Sequence, residues 1–259
     1  MKFDRWLNLD INPIMKLKIL NTIGLIVVLV TNYLANALPI NGYNTGELSD
    51  FYPNLFVPAG ITFSIWGIIY LLLLGFVIMQ WVSADEKPIQ KIGILFSLNC
   101  LLNASWILAW HYRLEELSVI IMLLLLTTLI KIWQTLQTTN FESKVLRFLT
   151  KVPFNIYFGW ICVATIANIT TLLVHWDFNP ANPEYWTAVL ILITQILVWL
   201  VNKKNVNVAY SLTIIWAISG IVLKQSQLDG PSIIVVTGYI AIAATIFITV
   251  GLKIKIAIK

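Results

Sequence analysis

Charge is scarce in this sequence. Only 11 % of its 259 residues are Asp, Glu, Lys or Arg, against about 25 % in a typical soluble domain. A soluble fold needs polar side chains over much of its surface and keeps contiguous apolar patches small. This chain is 59 % apolar, with a mean hydropathy of +0.83. It has too few polar residues for that cover, which excludes a soluble enzyme and a disordered chain. Acidic residues are the scarcer sign, 12 against 17 basic. The resulting pI of about 9.1 does not indicate a nucleic-acid partner, because the basic residues lie scattered between apolar runs and form no phosphate-tracking patch. Cysteine is nearly absent: Cys100 and Cys162 both sit inside apolar runs, so neither a disulfide framework nor a zinc cluster is indicated. A nucleophile elbow, a P-loop and a dinucleotide fingerprint are missing too. No catalytic set, metal site or cofactor is therefore expected. Long apolar runs are what the chain has in abundance, and they identify an integral membrane protein.

In a bilayer every backbone polar group must be paired within its own segment, so apolar runs of about 20 residues are helices. Eight such runs lie at roughly 18–38, 59–81, 91–110, 117–137, 153–174, 184–202, 205–223 and 231–254. The sixth and seventh are separated only by Asn202, Lys203, Lys204 and Asn205, which reads as a tight hairpin. With the N-terminus inside, one face of the membrane collects Lys2, Arg5, Lys16, Lys18, Lys87, Lys91, Lys131, Lys144, Arg147, Lys151, Lys203, Lys204, Lys253, Lys255 and Lys259. The other face keeps only Arg113 and Lys224. That split is a strong form of the positive-inside bias. It predicts an all-α fold of eight spans with both termini cytoplasmic. Glu47, Asp50, Glu115, Glu116, Asp177, Glu184 and Asp229 fall on the opposite, acidic face. Ala35-Asn36-Ala37 resembles a signal-peptidase site, but the apolar run before it is longer than a signal sequence needs, and an uncleaved span is expected.

Eleven tryptophans are many for this length. Trp81 and Trp199, and Trp110, Trp176 and Trp186, fall near span ends, where amphipathic rings anchor at headgroup level. Trp6 lies in the tail and Trp133 near an inner end. Trp66, Trp106, Trp160 and Trp216 lie within spans, where an indole N–H needs a partner. Helical stripes follow from three of these. Phe63, Trp66 and Tyr70 share a face of the second span, Asn99, Asn103, Trp106 and Trp110 one of the third, and Trp160, Ala164 and Asn168 one of the fifth. An unpaired amide in hydrocarbon costs several kcal/mol, so Asn99, Asn103 and Asn168 should point inward. Most of these residues fall in the outer half of the bilayer. They would line one cavity open to that side, although the same spacing also arises from plain helix packing. Asn32 and Asn36 of the first span read as packing residues.

These segments resemble the TspO/MBR family, the tryptophan-rich sensory proteins that include the mitochondrial translocator protein. Phe56-Val57-Pro58-Ala59-Gly60 with Phe63, Trp66 and Tyr70 is similar to the motif that opens the family's second helix. Leu102-Asn103-Ala104-Ser105-Trp106 is similar to its third-helix motif, and Tyr157-Phe158-Gly159-Trp160 through Ala164-Thr165 to Asn168 to its fifth. The resemblance covers residues 18–174. It implies a cytoplasmic tail over 1–17, a five-helix bundle over 18–174, and three additional helices over 175–259. Ala59 and Ile61 depart from the pattern, as do the missing tryptophan in the first span and the loop from Asn41 to Glu47, all at the outer lid. The resemblance implies a receptor for a planar hydrophobic ligand, a tetrapyrrole or sterol-like molecule. Phe63, Trp66, Tyr70, Asn103, Trp106, Trp160, Ala164 and Asn168 would be its binding residues. It also makes Trp160 a redox partner, should the chain break down porphyrin in light.

Two other readings were open. A permease for a small hydrophobic molecule would show broken helices and inverted repeats; none is evident, and Pro58, Pro153 and Pro231 sit at expected span starts. A metal site on His111 and Glu115, spaced i, i+4, would have too few ligands, and these residues, like His175 with Asp177, read as solvated turns. Beyond the lipid bilayer and the small hydrophobic ligand, a homodimer is the partner to expect, and a bacterial plasma membrane the simplest location.

Overall fold

The computed structural model describes residues 12–38 and 40–257. Lys2, Arg5, Trp6 and Lys259 lie outside the described residues. Eight long helices follow the eight apolar runs: α1 (Pro13–Ala37), α3 (Ile65–Val82), α5 (Leu95–His111), α6 (Glu115–Gln137), α7 (Lys144–His175), α8 (Pro183–Asn202), α9 (Val208–Gln227) and α10 (Ser232–Ala257). Two short helices, α2 (Thr45–Asp50) and α4 (Lys87–Ile92), and two 3₁₀ turns, Ile40–Gly42 and Gly60–Ser64, complete the described chain, which holds no strand. Seven of the long elements, counting Gly60–Val82 as one, are long and apolar enough to cross a membrane. The eighth, α5, has 17 residues and at 1.5 Å per residue spans about 26 Å. The chain is an all-α, multi-pass integral membrane protein.

Three boundaries differ from expectation, each for a local reason. The third run breaks at Gly93, whose φ of 56° is the left-handed value that glycine adopts without a Cβ penalty. Gly93 closes α4, and α5 starts afresh two residues later. The fifth run extends back to Lys144, because the Ser143 hydroxyl accepts the Leu146 N–H at 3.0 Å and caps the start. Pro153, expected at a span start, therefore lies inside α7, where it removes one backbone hydrogen bond. At 32 residues, or about 48 Å, α7 outruns the hydrocarbon and carries Lys144, Arg147 and Lys151 beyond it on the basic face. The first run begins at Pro13, after Asn12, whose side chain accepts the Ile14 N–H at 3.0 Å.

The hairpin between α8 and α9 is held by Asn202, which accepts the Asn207 N–H at 2.7 Å and donates to the Ser211 hydroxyl at 3.2 Å. α1, α3, α5, α6 and α7 form one bundle; α8 and α9 pack on α10, and α9 packs on α7. That seam is close. A Cβ on Gly159 of α7 would stand 2.9 Å from Thr213 Cβ, and one on Gly220 of α9 would collide with the Thr62 hydroxyl.

Candidate ligand site

Trp66 is the hub of the acidic-face half of the bundle. Its ring stacks on Tyr70 at 5.4 Å and lies 6.4 Å from Trp106, with Tyr157 and Trp160 edge-on at 5.7 and 6.2 Å. Phe63 meets Trp160 edge-on at 5.8 Å, and Trp106 stacks on Trp110 at 5.9 Å. Offset and edge-to-face geometries at these distances are the attractive ones. Rings from α3, α5 and α7, with Phe63 from the 3₁₀ turn before α3, therefore converge at one level.

A cavity of about 60 Å³ lies among them. Phe63, Trp66, Trp106, Trp160, Ala164 and Asn168 line it together with Trp110, Val163, Ala167 and Thr171. At roughly 10–15 Å³ per water site this space holds a few waters, well short of the 300–1,000 Å³ of a drug-sized pocket. On the far side of Trp66 a groove of about 730 Å³ runs between α1 and α3, lined by Asn32, Tyr33, Asn36, Gly67 and Tyr70. Phe63 and Trp66 belong to both spaces. Of the eight residues singled out in the sequence, six line the cavity and Tyr70 faces the groove. Asn103 stands outside both linings: it donates to the Tyr157 hydroxyl at 2.7 Å and accepts from Asn32 at 3.1 Å, bridging α1, α5 and α7.

The polar groups divide into two kinds. Asn168 accepts the Trp106 indole N–H at 3.0 Å and donates to the Ser118 hydroxyl at 2.9 Å, tying α5, α6 and α7 together. By contrast, the Trp160 N–H and the Tyr70 hydroxyl are buried without a partner among the described residues. Trp160 is only 2 % exposed. A buried unpaired donor costs about 1–3 kcal/mol.

The cavity's roof is α2, which supplies Thr45 and Ser49. Sequence reading placed this segment in a loop. Its signal is the capping box from Asn44 to Glu47: Asn44 Oδ1 accepts the Glu47 N–H at 2.9 Å, and Glu47 accepts the Asn44 N–H at 2.8 Å. His111, read as a solvated turn residue, is fully buried. Its Nε2 lies 3.0 Å from the Thr45 hydroxyl and its Nδ1 3.1 Å from the Ile40 carbonyl. Trp110, assigned to the interfacial belt, donates to the Thr45 carbonyl at 3.3 Å and lines the cavity. Tyr52, at the end of this roof, donates to Glu115 and receives Arg113 Nε at 3.2 Å. Burial, with Glu115 adding, pushes the Tyr52 phenol above its ordinary range, so it stays a donor.

Glu115, Glu116 and His175 present three metal-capable atoms within 4.8 Å of one another. The carboxylates are already engaged: Glu115 accepts from Tyr52, and Glu116 from the Trp176 indole at 2.9 Å. His175 rather than His111 is the histidine beside Glu115, at 3.7 Å. Of the last three helices, α9 touches the site from behind. Trp216 of α9 donates to the Thr62 carbonyl at 2.9 Å, and the Ala59 N–H donates to the Gly220 carbonyl at 3.0 Å. α9 thus braces the turn that carries Phe63.

A family model described as TSPO-like protein matches residues 18–251. No curated protein and no solved structure matches the chain. The match runs through the five-helix part and on into α10, so it takes in the motif-bearing helices and α8 and α9 as well. With most of its length matched, and with the tryptophan- and amide-bearing faces of α3, α5 and α7 meeting at one level, the chain belongs to the TSPO-like family.

Proposed function

We propose that this protein is a membrane receptor that holds a planar, mostly apolar molecule of the tetrapyrrole or sterol-like class between α3, α5 and α7. One observation carries the reading: Trp160, whose N–H is buried and unpartnered, lines a cavity to which Phe63, Trp66, Trp106 and Trp110 also give their rings. Flat aromatic walls suit a planar macrocycle, and a single unmatched donor suits an acceptor on its edge. The cavity as it stands is closed to such a guest. Turning Phe63 and Trp66, the two rings it shares with the α1–α3 groove, would join the spaces into one of ligand size. Phe63, Trp66, Trp106, Trp160, Ala164 and Asn168 then contact the guest, Tyr70 meets its groove-side edge, and Asn103 supports the wall through Tyr157. The proposed setting is a bacterial plasma membrane.

The test is quenching of tryptophan fluorescence by protoporphyrin IX in the detergent-solubilised full chain. Saturable quenching weakened by Trp160→Phe is the expected result. Unchanged affinity after Trp66, Trp106 and Trp160 are all replaced by Phe would overturn the reading. Flux of the same molecule into liposomes separates a receptor from a permease, since a receptor binds without transferring it.

A further inference from the structure

Lys224 breaks the charge rule that orders the rest of the chain, being one of two basic residues on the acidic face. The other, Arg113, is engaged: it donates to the Tyr52 hydroxyl at 3.2 Å and lies over the Phe51 and Tyr52 rings at 5.4 and 5.8 Å. Lys224 has no carboxylate within 4.0 Å and no side-chain hydrogen bond among the described residues. Of the acidic residues near this region in the chain, Asp177 and Asp229 are exposed and Glu184 is half-buried, and none lies within 4.0 Å of Lys224.

Lys224 lines a cavity of about 460 Å³, separate from the central one. It opens where α8, packed on α10, stands off from α7, so it belongs to the junction between the bundle and the last three helices. Leu173, Val174, Phe178, Trp186, Leu190 and Leu228 give it a mostly apolar wall. Apart from Ser49 and the exposed Asn179, the polar side chains of the wall are engaged. Gln225 donates to the Leu55 carbonyl at 3.0 Å, Asn54 to the Tyr52 carbonyl at 3.0 Å, and Thr187 to the Pro183 carbonyl at 2.9 Å. The one charged group in this lining is the Lys224 ammonium, beside a mostly apolar space of the size that holds a ligand. Trp176, Tyr185 and Trp186 mark this level as the headgroup zone.

We propose that this cavity takes an acyl chain of a lipid with an anionic headgroup, the phosphate lying against Lys224 Nζ. The apolar wall and the depth select a chain from the adjoining leaflet. The lone cation selects negative over zwitterionic heads, as lysine binds phosphate as a point charge.

The experiment is native mass spectrometry of the full chain released from detergent, titrated with dioleoyl phosphatidylglycerol, dioleoyl phosphatidylcholine or inorganic phosphate alone. Phosphatidylglycerol should bind the more tightly of the two lipids. Lys224→Gln should weaken it about fivefold, the effect of one lysine at an anionic surface, and leave phosphatidylcholine unchanged. Leu190→Trp, which fills the cavity, should weaken both lipids. Equal binding of the two lipids, or a Lys224→Gln variant indistinguishable from the parent, would overturn the proposal. Displacement of phosphatidylglycerol by inorganic phosphate would overturn it too, by showing an anion site with no role for the chain. Protoporphyrin quenching in Lys224→Gln should match the parent, so this result and the one for the central cavity stand or fall separately.

Discussion

The two halves of the bundle fill their interiors with different aromatic rings. Toward the basic face, Phe76, Phe96 and Phe154 meet edge to face at 5.1–5.5 Å, one ring from each of α3, α5 and α7. These rings carry only carbon, and each is at most 2 % exposed. Toward the acidic face the same three helices contribute Trp66, Trp106 and Trp160 with Tyr70 and Tyr157, every one bearing an N–H or O–H. The phenylalanine cluster closes on itself because no polar atom in it needs a partner. The tryptophan cluster leaves a gap and two unmatched groups, the Trp160 N–H and the Tyr70 hydroxyl. Identical helices thus supply a solid core at one depth and a lined space at the other, and the difference lies in the polar atoms on the rings.

The largest effect should come from the solid half. Phe154→Ala removes the ring that both other phenylalanines touch, and should cost about 3–5 kcal/mol through lost contacts and a cavity that cannot collapse. Thermal denaturation in mild detergent reads it. A loss below about 1 kcal/mol would mean that the basic half is as loosely filled as the other. Next in size is Gly220→Ala, at about 3 kcal/mol, the upper end for an overpacked contact, because the added Cβ collides with buried Thr62. That variant should also weaken protoporphyrin quenching, since it pushes α9 off the turn that holds Phe63. Weaker stability with intact quenching would detach the extra helices from the site.

Much of this was legible in the sequence. The eight runs were, because a continuous apolar run of about 20 residues pairs its backbone in a bilayer as a helix. So were the faces of α3, α5 and α7 that meet, because an indole or amide within a span has to face protein. The breaks were harder to read. Gly93 ends a helix within an apolar run, and nothing but its φ distinguishes it from a packing glycine such as Gly159. Pro153 looked like a start because proline favours one, yet Ser143 had already nucleated α7 ten residues earlier. The roof over the cavity depends on contacts between distant segments, as between His111 and Thr45, that no local pattern encodes. Asn103 and Asn168 have the same chemistry, and each shares a helical face with a tryptophan. Only the partners brought by α1 and α6 make one a bridge behind the wall and the other part of it.

The finest test compares two tryptophans by the same substitution. Trp106→Phe deletes an N–H that Asn168 accepts at 3.0 Å, leaving a buried carbonyl oxygen without that donor. The cost should be about 1–2 kcal/mol, within the range for a stranded buried group. Trp160→Phe deletes an N–H that has no partner, so only the smaller ring counts. Stability should change by less than about 1 kcal/mol, since the loss of contact is offset by relief of the unmatched donor. Ligand binding should respond in the opposite order, with Trp160→Phe weakening protoporphyrin quenching more than Trp106→Phe. If the two variants lose stability equally, the Trp160 N–H has a structural partner after all and the acidic half is core like the other. If Trp160→Phe keeps the parent's stability and loses its ligand, that N–H is the atom the protein reserves for its guest.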